Sequence, residues 1–238
     1  DPETGEIDPT YNKNIPGLET LAEADLMVIL VRFRNLPNEQ MQHIAQYVNS
    51  GKPILGMRTA THAFKLSNKS KYAKYSWNSQ TWPGGFGKQI LGETWVNHHG
   101  DHGSESTRGV LVSGKESHPI LRGIASGAIW GPTDVYGVQL PMADDCEPLV
   151  LGEVVAGMMI DDPPVEGVKN QPMMPVAWTK STKLADGSTR RVFTTTMGGA
   201  TDLPNQALRR LLVNAAYWCL QMEDQISADA NVDLVGKY

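Results

Sequence analysis

Two stretches of this 238-residue chain carry side chains whose types and spacing could do chemistry. In Asn97-His98-His99-Gly100-Asp101-His102, three imidazoles and one carboxylate fall within five consecutive residues, 98 to 102. Imidazole nitrogen and carboxylate oxygen are ligands for zinc, nickel or iron, so His98, His99, Asp101 and His102 form a candidate set for a divalent metal. His99 is also a candidate catalytic group within it. Gly100 and Gly103 mark a loop. The same residues therefore also read as a polar surface loop with one histidine packed against the fold.

The second stretch is Pro53-Ile54-Leu55-Gly56-Met57-Arg58-Thr59-Ala60-Thr61-His62-Ala63-Phe64. A short apolar run followed by glycine reads as a buried strand that turns sharply, and the residues after Arg58 suit the first turns of a helix. Such a turn lies at the carboxyl edge of an α/β sheet, where ligands bind. There Arg58 can hold a carboxylate or phosphate through a bidentate pair, and His62 can serve as a general base or donor. The alternative is a structural Arg58, bonded to loop carbonyls or paired with an acid such as Asp134. Gly198-Gly199, just before the last helix, offers backbone N–H groups to a ligand.

The elements that must position these groups follow from hydrophobic pattern. Leu26 to Val31 reads as a buried strand. Pro37 to Ser50 is a helix with Met41, Ile44, Ala45 and Val48 on one face and Gly51 as its cap. Lys65 to Lys88 is a long aromatic-rich excursion, readable as a sugar-binding surface or as a cover for the core. Strands are expected near 108–112, 135–138 and 149–152, then as a pair at 175–179 and 191–196 across the turn at 184–188. A short helix is expected at 117–124 and a long one over 203–222. The chain reads as one domain, 1–238, with its core at about 18–222, a loop at 1–17 and a loose polar tail at 223–238.

Composition narrows the function classes. Apolar residues make up 40% and charged residues 20%, too apolar for disorder. The net charge of −5 and the lack of a long basic run argue against nucleic acid or an anionic membrane as partner. No apolar stretch approaches the roughly 20 residues of a membrane span. The two cysteines, Cys146 and Cys219, form no Cys-x-x-Cys and neither require nor exclude an oxidising compartment, cytoplasmic or exported. Asp144 and Asp145 beside Cys146 oppose thiolate formation, so no cysteine nucleophile is expected.

Gly56-Met57-Arg58-Thr59-Ala60 resembles the Gly-x-Cys-x-Gly elbow of class I glutamine amidotransferases, with arginine in place of the cysteine and alanine in place of the second glycine. More specifically, the chain is similar to the trehalose-utilisation (ThuA-like) family. His118-Pro119-Ile120, Thr133-Asp134-Val135-Tyr136, Pro175-Val176-Ala177-Trp178-Thr179 and Arg191-Val192-Phe193-Thr194-Thr195-Thr196-Met197-Gly198-Gly199 match that family's motifs in order, over roughly 26 to 222. In the last motif Gly199 stands where the family carries histidine. The resemblance implies a flavodoxin-like three-layer α/β sandwich with a mostly parallel sheet. Its opening βαβ unit is then expected to be missing from this chain. It also implies a carbohydrate-like ligand, with Asp134 and Trp178 as binding residues beside Arg58 and Gly199, and Tyr136 catalytic beside His62 and His99. Glutaminase chemistry is excluded, because the elbow lacks its nucleophile and no histidine follows His118. The leading expectation is binding or turnover of a sugar or sugar derivative. The rivals are a metal-dependent hydrolase or isomerase built on residues 98–102, and a non-catalytic binding or assembly module, in which case a homo-oligomer is expected.

Overall fold

Short apolar runs punctuated by Gly and Pro form the strands, and only two segments have the length and one-sided apolar pattern of an α-helix. The computed structural model describes residues 3–6, 8 and 10–236. Expectations for the loop at 1–17 and the tail at 223–238 therefore lie outside the described residues at 1, 2, 7, 9, 237 and 238. In chain order the elements are β1 (Met27–Ile29), α1 (Asn38–Asn49), β2 (Ile54–Met57), β3 (Asn97–His98), β4 (Ser106–Leu111), β5 (Ile129–Gly131), β6 (Tyr136–Gly137), β7 (Cys146–Val155), β8 (Met174–Lys183), β9 (Thr189–Thr195) and α2 (Gln206–Cys219). Short 3₁₀ turns join them, and a single π-helical turn spans Gly87–Leu91.

Seven strands make one sheet in the order β1-β2-β9-β8-β7-β4-β5, and β3 with β6 forms a separate two-stranded ribbon. The fold is thus a mixed α/β architecture. It corrects the expected mostly parallel sheet: β1, β2 and β9 are mutually parallel, whereas every step from β9 through β8, β7 and β4 to β5 is antiparallel. For the β8–β9 step the reason is local. A parallel neighbour needs a crossover of a dozen or more residues, whereas the short turn between β8 and β9 permits only a hairpin.

Consecutive residues of a strand point to opposite faces, and β2 and β9 feed two cores accordingly. Ile54 and Val192 join α1 residues Met41, Ile44, Ala45 and Val48 in one cluster. Leu55, Met57 and Phe193 join α2 residues Leu208, Leu211, Ala215 and Trp218 in the other. The apolar stripe read for α1 is its buried face. Helix α2 is shorter than the expected 203–222 because Asn205 caps it, accepting from the Leu208 N–H at 2.8 Å.

Two further expectations change. Past Arg58 the chain makes only a 3₁₀ turn, Arg58–His62, rather than a helix. Thr59 and Thr61 are β-branched, and Phe64 leaves the turn to bridge Arg34. The tail is not loose over its first part: Ile226 and Val232 are buried, and Arg122, Arg209 and Arg210 donate to the carbonyls of Ile226, Val232 and Ala230.

Candidate functional site

Strand direction decides which loops meet. Between β9 and β5 lie four antiparallel steps, so β5 runs the same way as β9, β2 and β1. The carboxyl ends of these four strands therefore share one edge of the sheet. That brings together Phe33 after β1, Arg58 to His62 after β2, Asp134 after β5 and Thr196 to Gly199 after β9. The antiparallel β4 starts at this edge, so the β3 loop that leads into it, residues 97–105, arrives there too.

At the centre is a buried ion pair. Arg58 keeps the left-handed backbone of a strained elbow, φ 41°, and its N–H donates to the Met197 carbonyl at 3.1 Å. Three of the guanidinium's N–H donors are used inside the protein. Nη1 donates to the carbonyls of Asp134 (2.7 Å) and Thr196 (2.8 Å), and Nη2 to Oδ1 of Asp134 (2.8 Å). Its plane lies over the Tyr136 ring, 3.6 Å from the centroid. Arg58 is thus bonded to two loop carbonyls and paired with Asp134, the two contacts that its structural reading named.

Asp134 is 0% exposed, yet it carries two more bonds at the surface. Nδ1 of His98 lies 2.6 Å from Oδ2, and Nδ1 of His102 lies 2.8 Å from Oδ1. Burial pushes this carboxyl up, but hydrogen bonds from His102 and His98 and the Arg58 charge outweigh it and leave the group below the usual range. An ionised carboxylate only accepts, so both Nδ1 atoms carry the shared protons. One buried carboxylate thus orients two imidazoles whose side chains are 47% and 71% exposed. Between the rings of His98 and His102 the centroid distance is 5.3 Å.

The wall beside them is aromatic. The His62 ring lies 4.9 Å from Phe33, 5.1 Å from Trp95 and 5.7 Å from Tyr136. Trp95 also meets Trp77 at 5.7 Å and His98 at 5.7 Å. Trp95 and Trp77 also line a cavity of about 380 Å³ together with Asn78, Gln80, Lys88 and Gln139. The indole N–H groups of both tryptophans have no hydrogen-bond partner among the described residues.

His62 itself is 3% exposed, and burial, with the charges of Arg32 and Arg58, pushes its pKa down to about 3. It stays neutral in the native protein while the unfolded chain takes up a proton near pH 6.5. Stability from this group is complete above that value and is lost as the pH falls from 6.5 toward 3. Between pH 7 and 5.5, urea unfolding of the wild type should lose about 1–1.5 kcal/mol more than His62→Phe. Equal losses in the two proteins would contradict the burial argument.

The other expected site residues are committed to other contacts. Nε2 of His99 lies 2.8 Å from the Lys169 carbonyl, and Asp101 pairs with the Lys169 ammonium at 3.0 Å, so neither joins His98 and His102. Trp178 is 0% exposed, its indole N–H bonded to the Leu91 carbonyl at 2.7 Å; it is core and does not face the cleft. The N–H groups of Gly198 and Gly199 are taken by Oδ2 of Asp202, at 2.9 and 3.0 Å, instead of being offered to a ligand. Tyr136 is buried against Arg58, and burial raises its hydroxyl pKa despite the guanidinium's opposing pull. Within the long aromatic excursion the two tryptophans divide: Trp77 reaches the cleft, while Trp82 packs on Tyr75. Residues not singled out from sequence are Phe33, Trp95 and Asp202. For Trp95 a signal existed, three positions before His98 in a short extended stretch; for Asp202 there was none.

Comparison with known proteins agrees with this architecture. A model of the ThuA family, described as trehalose utilisation, matches residues 6–219. Among solved structures, the chain is similar to a ThuA-like protein from Parabacteroides merdae ATCC 43184, at 16% identity and a TM-score of 0.50. The match covers 84% of this chain and 71% of that one, a likeness of fold. No curated protein matches this chain. With a family model spanning nearly all of the described residues, the chain belongs to the ThuA, trehalose utilisation, family.

Proposed function

We propose that this protein binds a sugar or sugar derivative at the carboxyl edge of its sheet and turns it over with His98 and His102 as the reacting polar groups. One observation carries the reading: Trp95 packs on His62, His98 and Tyr136 and also lines, with Trp77, the 380 Å³ cavity. That volume falls within the roughly 300–1,000 Å³ span of small-ligand sites. Aromatic faces suit the apolar faces of a sugar ring, and the amide side chains at the rim suit its hydroxyls. The family description, trehalose utilisation, makes a non-reducing disaccharide the first probe.

The test is calorimetric titration with trehalose and a panel of mono- and disaccharides and their oxidised derivatives. Trp95→Ala should weaken binding of the active compound about tenfold, equivalent to ~1.4 kcal/mol. His98→Ala should keep binding and lose turnover. Binding without turnover in the wild type would reduce the protein to a binding module, and failure to bind any carbohydrate would overturn the reading.

A further inference from the structure

The geometry points to a divalent metal site made by His98, His102 and Asp134, for a d-block cation such as Zn²⁺. Ligand atoms of these three residues lie within 4.8 Å of one another. Two imidazole nitrogens with one carboxylate oxygen, open to solvent on the remaining side, is the donor set that selects such cations over Mg²⁺ or Ca²⁺, which prefer oxygen alone. The carboxylate is already held: Asp134 is wholly buried, with Oδ1 on Nη2 of Arg58 and its carbonyl on Nη1. A pre-positioned carboxylate removes part of the ordering cost of binding.

The cation would take the place of the two protons now shared between Asp134 and the Nδ1 atoms. A neutral imidazole then carries its proton on Nε2, so no net proton need leave. Ligands about 2.0–2.2 Å from one Zn²⁺ lie roughly 3.3 Å apart, so the Nδ1 atoms, now 2.6 and 2.8 Å from the Asp134 oxygens, must step back to admit the cation. His102 is the residue able to move. Its side chain is 71% exposed, and it precedes Gly103, whose φ of 84° opens the turn. Asp134 itself stays fixed by Arg58. Bound there, the cation lies beside the aromatic cleft, where it could polarise a substrate oxygen.

The ligand set differs from a simple reading of the His-rich stretch, and this difference makes the inference testable. His99 and Asp101 belong to the same five-residue run but are committed to Lys169. Full-length protein, freed of metal by chelator and dialysed, should take up one equivalent of Zn²⁺ in equilibrium dialysis. Co²⁺ should give visible d–d absorption typical of bound nitrogen and oxygen ligands. His102→Ala and His98→Ala should each weaken the affinity at least a hundredfold and abolish the Co²⁺ spectrum, while His99→Ala leaves both intact. Both substituted residues are exposed, so loss of the fold would not mimic the result; circular dichroism melts of the variants that match the wild type confirm it. Sub-stoichiometric uptake, or uptake indifferent to His98 and His102, overturns the site. Dependence on His99 overturns the ligand set. No carbohydrate is present in these measurements, so the metal site and the sugar reading can fail separately.

Discussion

Asp134→Ala is expected to lower the unfolding free energy by about 3–5 kcal/mol, because it strands the Arg58 guanidinium as an uncompensated buried charge. For a chain of this size that is a fall in Tm of roughly 6–20 °C. Arg58 is 5% exposed and its other acceptors are two carbonyls, which cannot replace the lost anion. The same substitution frees His98 and His102 from their shared anchor, so any activity or metal binding that needs them together should be lost as well. Breaking a buried pair costs more than deleting it. The double variant Arg58→Met/Asp134→Leu should therefore recover part of the stability while recovering none of the site function. Calorimetric melts of the wild type and the two variants check this. A single variant within about 1 kcal/mol of wild type would show that solvent reaches the guanidinium and that the pair is not an energetic keystone of the edge.

Asp202→Ala is expected to cost about 3 kcal/mol or more, since each buried donor left unpaired costs about 1–3 kcal/mol. Asp202 is 0% exposed and has no cationic partner among the ion pairs of the described residues. Four donors satisfy it instead: the N–H groups of Gly198 (2.9 Å), Gly199 (3.0 Å) and Thr133 (3.1 Å), and the Thr133 hydroxyl (2.8 Å). These bonds tie the loop after β9 to the loop after β5. Thr133 immediately precedes Asp134, so loosening it should also weaken ligand binding at His98 and His102. Asp202→Asn keeps an acceptor oxygen and should be milder on both counts. Gly131→Ala should imitate the loss, because a Cβ there would sit 2.3 Å from Oδ1 of Asp202. Urea unfolding curves and ligand titrations on the three variants measure the two effects together. Unchanged stability in Asp202→Ala would mean that its donors find other acceptors.

The pattern of what could be read in advance follows the range of the forces involved. Helix α1 was legible because its signal lies within one window: Met41, Ile44, Ala45 and Val48 fall on one face, and that face is buried. The β8–β9 hairpin was legible from two apolar runs flanking a short turn, and Ala177 pairs with Thr195 accordingly. The sheet's sense was not. Local pattern says that a run is a strand, but which strand it pairs with is set by the whole chain's packing. The elbow was half legible: Arg58 does take the strained turn, while the helix expected beyond it shrinks to a single 3₁₀ turn.

By itself, the sequence determined that the chain is an α/β protein of ThuA-like type, that its elbow carries no cysteine nucleophile, and that Arg58 and His62 follow a strand at the carboxyl edge. Only the tertiary structure decided which of those side chains meet. His98 and His99 are neighbours in sequence, yet one ring meets Asp134 and the other the Lys169 carbonyl. Asp134 is 36 residues from His98 and 76 from Arg58, and it meets both only because four antiparallel steps return β5 to the direction of β2. A local pattern records what each residue can do. Long-range strand order sets the distances at which hydrogen bonds and ion pairs act, and those distances choose the partners.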